Sequence, residues 1–377
     1  MALGSAESSA SAAMVHLTTA RETPARTGAM ISGTADETLT RVRSRAEEAT
    51  GSRVVDVAEL PADLSLRRFF RVRTAGEPTS LIARLDAPED PAGRPAGVPP
   101  EPPLEPIRGL LESAGLPVPR RIGPPGDDDL ELLEDLGNVT LEAHAAHEPG
   151  RIAELYAEVV DRLPTLQALS PVPGVAAFER RLDAALFAYK AGLVAEWSLP
   201  EALGRAASAA ERGAVFAAFA WIADRALEAP ARLAHRDLQS RNLLLHEGRL
   251  RWIDLQGAFL APPEYDLVCL LRDSYVALPE PLVDRLLERV RPALPDAPAP
   301  ADFRQRFDLL TLTRKGKDHA RFAYAAATRG DTRPRRYLPA TARALHRAAR
   351  ACAGLAPELA RLSELLLKLP EDEGATR

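Results

Sequence analysis

Apolar positions alternate with polar ones early in the chain and recur at helical spacing later, the change falling near Asn138. Between Arg53 and Asp86 three short runs alternate: Val54-Val-Asp-Val57, Phe69-Phe-Arg-Val-Arg73 and Ser80-Leu-Ile-Ala-Arg-Leu85. Turn residues separate them at Pro61-Ala-Asp63 and Ala75-Gly-Glu-Pro78. Period-two runs broken in this way predict an antiparallel meander. The proline-dense stretch 87–106 excludes regular structure throughout, because proline fixes φ and lacks an amide donor. A short helix is expected over 107–114, stopped by Gly115 and Pro117. A strand follows in Leu130-Glu-Leu-Leu-Glu-Asp-Leu-Gly137 and ends in a turn.

Beyond Asn138 the pattern is mostly helical: Ile152, Leu155, Tyr156, Val159 and Leu163 share one face, as do Phe178, Leu182 and Leu186. In the middle sits a hairpin, Leu243–Leu245 and Arg251–Ile253 around His246-Glu-Gly-Arg249. Helices are expected again from Asp266 to the end, with breaks at the proline-rich turns 292–300 and 333–339. Residues 1–50 are rich in Ala, Ser, Thr and Gly and carry little periodic apolar content. Such a segment does not bury enough surface to offset its ordering entropy, so it reads as a disordered tail. Met14 and Met30 are alternative starts within it. The fold class expected is α+β, two-lobed: a small β-rich lobe over 51–137 and a larger, mainly helical lobe over 138–377.

Composition narrows the function classes. A net charge of −5 advertises no basic face for nucleic acid or anionic lipid. The longest near-apolar run, Gly213–Ala223, is about half of the ~20 residues a spanning helix needs. With no secretory leader pattern at the N-terminus, a cytoplasmic protein is expected. No obligate protein partner is evident. Cys269 and Cys352 lie far apart and outside any metal-ligand spacing, so they read as buried thiols.

The chemistry concentrates in Leu233-Ala-His-Arg-Asp-Leu-Gln-Ser-Arg-Asn-Leu-Leu-Leu245 and Leu250-Arg-Trp-Ile-Asp254. Phosphoryl transfer needs a group to orient or deprotonate the attacking hydroxyl, and oxygen ligands for Mg²⁺ on the nucleotide phosphates. Asp237 is placed for the first task, against the plainer reading of a turn residue. Asn242 and Asp254 suit Mg²⁺, a hard cation that takes one or two oxygens from protein and the rest from phosphate and water. A turn amide and a strand-end cap are their plainer readings. The three together, between two strand-like runs, favour the catalytic reading. His235 is read as a hydrogen-bonding prop and Arg236 as a brace of the loop. Asp266 is read as a helix cap or loop brace. Gln256, Glu264, Arg272 and Asp273 follow the metal strand, where amide and carboxylate groups suit sugar recognition and Arg272 suits a carboxylate. Lys315 and Lys317 read as a solvated face, with an anion site as the alternative.

These residues resemble the aminoglycoside phosphotransferase superfamily, whose fold is protein-kinase-like, and within it the bacterial anomeric kinases of N-acetylmuramate and N-acetylglucosamine. Leu64-Ser-Leu-Arg-Arg-Phe-Phe-Arg71 resembles the nucleotide-covering turn, and Leu81-Ile-Ala-Arg-Leu-Asp-Ala-Pro88 the third strand. Leu132-Leu-Glu-Asp-Leu-Gly137 resembles the hinge, while Ile253–Ala258 and Tyr265–Asp273 resemble the metal strand and the following helix. The resemblance implies ATP and Mg²⁺ as cofactors and a small-molecule sugar as acceptor. It makes Asp237 the base, Asn242 and Asp254 the Mg²⁺ ligands, and backbone groups around Glu134 and Leu136 the adenine site. Arg84 stands where protein kinases use lysine; its fork still holds phosphate bidentately. The covering turn lacks glycines, which leaves Ser65 and Arg67 or Arg68 to act by side chain; a salt-bridged surface pair is the other reading of the arginines. The glutamate that would pair with Arg84 stays open among Glu101, Glu105 and Glu112. A protein kinase is disfavoured, because Leu255-Gln256 follows Asp254 and too few residues precede the next helix to dock a peptide. An aminoglycoside, choline or homoserine kinase and a nucleotide-binding pseudokinase remain as alternatives.

Overall fold

The computed structural model describes residues 35–61, 67–86, 101–124, 129–328 and 332–372. Four antiparallel strands run in chain order across one sheet: β1 (Val54–Glu59), β2 (Arg68–Thr74), β3 (Ser80–Leu85) and β4 (Leu130–Glu134). The register sets Phe70 opposite Ala83, Val72 opposite Leu81 and Ala83 opposite Leu132. Side chains alternate along a strand, so Phe70, Val72, Leu81, Ala83, Leu130 and Leu132 share one buried face.

That face is covered by the helix Ala35–Thr50, which falls in the stretch expected to be a disordered tail. Val42 and Ala46 are fully buried against the sheet, with Leu39 and Ala49 packed beside them. Arg43 donates to the Val54 carbonyl at 2.7 Å, and Glu47 accepts from the Val54 amide at 2.8 Å. The apolar stripe is four residues wide and two of them are alanines, too little to announce itself. Its order comes from the sheet it covers.

The helix Ile107–Ser113 packs with the larger core rather than with the sheet face. The chain after it runs beside β4: Ile122 donates to Leu132, and Glu134 donates to Arg120, both at 2.8 Å. Past Asn138 the chain is mostly helical. Two small antiparallel pairs interrupt it, β5 (Arg232–Ala234) with β8 (Phe259–Ala261), and β6 (Leu243–His246) with β7 (Arg249–Trp252). The expected helix through Phe178, Leu182 and Leu186 instead begins at Ala184. Asp183 caps it by accepting from the Leu186 amide, while Leu182 donates to Leu260 of β8. The longest helix among the described residues, Pro300–Thr328, packs against the helices Ala184–Leu193, Tyr265–Leu271 and Leu338–Cys352. This is the α+β, protein-kinase-like architecture expected. Cys269 and Cys352 are buried and free. Among the described residues no helix is long and apolar enough to cross a membrane.

Candidate active site

The loop between β5 and β6 is built around a backbone irregularity. Arg236 has φ +81°, a left-handed conformation unusual for a residue with a long side chain. Such a position costs about 1–3 kcal/mol and persists only where neighbours over-determine it. Asp266 does so: its carboxylate accepts the His235 amide at 2.6 Å and the Arg236 amide at 2.9 Å. Cys269 Sγ adds a contact to the Arg236 carbonyl at 3.2 Å. His235 Nε2 lies 2.9 Å from the Ile253 carbonyl, joining the loop to the strand that leads to Asp254. Asp266 and His235 therefore serve as props of the loop.

This frame sets the three groups of the motif at one end of the β6–β7 hairpin. Asn242 Nδ2 donates to the Asp237 carbonyl at 2.8 Å, which leaves Oδ1 as the oxygen it can offer a cation. The Ile253 amide donates to the Asn242 carbonyl at 3.0 Å, so Asp254 emerges beside Asn242. Asp254 is itself left-handed, φ +66°, and its Oδ1 accepts from Gln256 Nε2 at 2.6 Å. At the far end of the hairpin Glu247 and Gly248, both at positive φ, close the turn.

Asp237 is one-third exposed and has a partner that the motif does not contain. Arg314, from the long helix, reaches Asp237 Oδ1 at 2.8 Å, with its own side chain only 4% exposed. Burial by itself would raise the Asp237 pKa; the charges of Arg314, Lys317 and Arg236 outweigh it and hold the carboxyl well below its usual range. Nothing local in the sequence pointed to Arg314. Its only signal was the dense Arg314-Lys-Gly-Lys-Asp318 run after the apolar Leu309-Leu-Thr-Leu312.

Above the loop, Arg84 on β3 is buried and pairs with Asp86 at 2.9 Å and, across the sheet, with Glu131 at 3.1 Å. Burial lowers its pKa, opposed by Asp86 and Glu131. The ion-pair partners are thus strand-borne. Glu105 and Glu112, weighed for that role, grip Arg108 instead. Glu101 bonds Arg67 at 2.5 Å and also accepts from Gln256 at 3.1 Å, and Arg67 contacts Asp86 at 3.1 Å. A chain of contacts therefore runs Arg84–Asp86–Arg67–Glu101–Gln256–Asp254 between the sheet and the motif. Arg68 pairs with Glu59, the surface-pair reading. Ser65 lies outside the described residues.

At the hinge, Glu134 does more than carry a backbone. Its carboxylate accepts from Arg251 of β7 at 2.6 Å and from the Arg120 amide at 3.0 Å, tying the sheet to the hairpin. Its amide is engaged by the Arg120 carbonyl. Asp135 anchors the next turn through Arg71, Ser80 and the Gly137 amide. Leu136 is buried between them.

Of the side chains expected to meet an acceptor, Gln256 stands beside Asp254, but Glu264 and Arg272 are turned into the protein. Glu264 is 0% exposed and pairs with Arg306 at 2.9 Å; burial pushes its pKa up against that pair. Arg272 pairs with Glu280 at 2.5 Å and lies over the Phe307 ring. Both flank the helix Tyr265–Leu271, every residue of which is buried, so neither end faces the cleft. Asp273 accepts the Ser240 and Tyr275 amides and braces the loop. Lys315 is also buried, on Ser274 and Asp318, which overturns the solvated-face reading for it. Tyr275, Phe322 and Tyr337 form an aromatic cluster beside the loop, and Arg241 stacks on Tyr275 at 4.1 Å.

Known proteins share this frame. The chain is 33% identical to the N-acetylmuramate/N-acetylglucosamine kinase of Pseudomonas aeruginosa over 86% of its length and 92% of that protein. It is 30% identical to the kinase of the same name from Neisseria meningitidis serogroup B, over 82% and 91%. Among solved structures it resembles a choline kinase from Streptococcus pneumoniae, at TM-score 0.54 and 15% identity over 86% of this chain and 99% of that one. It also resembles an ADP-bound aminoglycoside phosphotransferase, at TM-score 0.51 and 14% identity over 87% and 97%. At those identities the likeness speaks for the fold. The profile described as the phosphotransferase enzyme family matches residues 56–304, a span that takes in Arg84, the hinge and the whole Asp237–Asp254 motif. The chain belongs to the phosphotransferase enzyme family.

Proposed function

We propose that this phosphotransferase is a sugar kinase that uses ATP and Mg²⁺. It moves the γ-phosphoryl group onto the anomeric C1 hydroxyl of an N-acetyl amino sugar, N-acetylmuramate or N-acetylglucosamine, in cytoplasmic recycling of cell-wall sugars. The observation that carries the reading is Asp237, held charged at the cleft with Asn242 bonded to its carbonyl and Asp254 beside it. Two relatives of that name, each matched over more than four-fifths of both chains, supply the acceptor class.

The donor set fits a magnesium ion. Among the described residues no three His, Cys, Asp or Glu side chains gather into a metal centre. Asn242 Oδ1 and Asp254 Oδ2 suit an ion held otherwise by phosphate and water. When bound, it supplies charge neutralisation on the phosphates. The chain's own part is positioning. Asp237, ionised, accepts the hydrogen bond of the attacking hydroxyl and takes its proton as the new O–P bond forms and the bond from the γ-phosphorus to the bridging oxygen breaks, releasing ADP. Arg84 and Arg67 hold phosphate oxygens, exchanging carboxylate partners for them. Leu136 offers the hinge amide to adenine, since the amide of Glu134 is already engaged.

Only ten residues, 255–264, separate Asp254 from the next helix, and β8 occupies part of that span, which leaves no platform for a peptide. Choline and aminoglycosides are cations, and Arg236, Arg314 and Lys317 around Asp237 disfavour them. The test is ATP consumption across a panel of sugars. Turnover is expected with free N-acetylglucosamine or N-acetylmuramate and none with methyl N-acetylglucosaminide, whose C1 oxygen is blocked. Equal turnover of the methyl glycoside would move the reaction to another hydroxyl. Absence of turnover with every acceptor would leave a nucleotide-binding regulatory module.

A further inference from the structure

The long helix turns a charged face toward Asp237. Arg314, Lys317, Asp318 and Arg321 recur at i, i+3, i+4 and i+7, so they rise from one stripe. Asp318 holds Lys315 at 2.7 Å and Lys317 at 2.9 Å, and lies 3.5 Å from Arg314 Nε. One carboxylate thus serves three cations. Arg314 divides itself between Asp318 and Asp237, and its buried Nε makes no hydrogen bond.

The other elements around this basin bring charges of both signs. Arg236 on the loop comes within 4.0 Å of Asp237. Lys190, on the helix Ala184–Leu193, is buried against the Tyr265 hydroxyl, and its pKa is lowered to about 7 by burial, Lys317 and Arg314. Asp273, near Lys315, and Asp266, beneath Arg236, are further carboxylates, and backbone amides engage both. Tyr275 borders the same basin, its hydroxyl feeling both Asp318 and Arg314.

Lys317 differs from its neighbours in reaching solvent. Its side chain is 12% exposed, against 4% for Arg314 and 2% for Lys315. Asp318 engages one of the three N–H donors of its ammonium group. Burial and Arg314 lower its pKa to about 8, against the opposing charges of Asp318 and Asp237.

We propose that Lys317 reads a carboxylate on the acceptor, next to the hydroxyl that Asp237 aligns, so that the enzyme selects an acidic amino sugar over its neutral counterpart. This rests on the sugar-kinase reading and deepens it: N-acetylmuramate carries a lactyl carboxylate and N-acetylglucosamine does not. Arg321 supports the same anion from the next turn. Arg314 stays with Asp237.

The experiment compares N-acetylmuramate with its carboxamide, which differs only in the charge, by calorimetric binding to the full-length protein. The acid is expected to bind at least about tenfold tighter than the amide, the size of a charge-assisted hydrogen bond. In Lys317→Met that preference should fall to near unity, and Lys317→Arg should restore most of it. The ratio of kcat/KM for the acid over the neutral sugar should fall by a similar factor in Lys317→Met. Equal binding of acid and amide by the unaltered protein overturns the proposal, and that measurement needs no variant to fold. An equal fall in turnover of both sugars in Lys317→Met also overturns it, assigning the cation to the transferred phosphoryl group. Should the protein bind the acid selectively yet phosphorylate no sugar, the kinase reading fails while the carboxylate site stands. Should it phosphorylate both sugars without preferring the acid, the reverse holds.

Discussion

Two charged clusters, linked through Glu101, Gln256 and Asp254, are built differently. On the sheet, Arg84 and Arg67 stand among Asp86, Glu101 and Glu131. Burial raises the Glu131 pKa; Arg84 opposes this, while Asp86 and Glu105 add to it. In the motif loop the partly exposed carboxylate of Asp237 stands among Arg314, Lys317 and Arg236 and is held well below its usual range. The same pairing of arginine and carboxylate therefore prepares two different tasks. The carboxylates around Arg84 neutralise a buried guanidinium. The cations around Asp237 offset its burial and hold its carboxyl well below the usual range.

The contrast is broken most sharply at Asp237. Asp237→Ala should lower kcat by about a thousandfold, within the range for removing a general base, with the circular dichroism spectrum unchanged. Unaltered turnover would remove Asp237 from the reaction. Arg314→Leu leaves Asp237 and Asp318 short of a buried cation. It should cost about 3 kcal/mol in urea unfolding and slow turnover as well. A loss of stability without any loss of turnover would make Arg314 a packing residue alone.

Asp266→Asn keeps the shape of the prop but loses its charge, so the strained Arg236 backbone is held less firmly. About 2 kcal/mol of stability should go, together with part of kcat, and normal turnover in a destabilised protein would separate the prop from the chemistry. The smallest effect is expected on the sheet. Arg84→Gln should raise the KM for ATP about tenfold, roughly the value of one charge-assisted contact, with the acceptor KM little moved. A shift in the acceptor KM alone would take Arg84 away from the phosphates.

The legible parts of this molecule were local ones. The strands β1 to β4, the β6–β7 hairpin and the run from His235 to Asp254 each declare themselves within a few residues, by period-two alternation or turn chemistry. Asn242 and Asp254 flank the β6–β7 hairpin, whose register is written in the segment itself, while Asp237 is tied to Asn242 through its carbonyl. The helix Ala35–Thr50 was missed because its burial is supplied by the sheet. Glu264 and Arg272 misled because closeness in sequence to a motif does not say which way a helix is turned. Glu134 was read for its backbone, while its side chain ties the lobes through Arg251.

The sequence by itself determined the change from strands to helices, the meander of β1 to β3 and the β6–β7 hairpin, since these depend on side-chain period and on turns a few residues long. Tertiary structure alone decided which charges are neighbours: Arg314 beside Asp237, Lys317 at the rim, Glu131 opposite Arg84. The reason is Coulombic. The energy of a charge pair depends on separation and burial, and neither follows from distance along the chain.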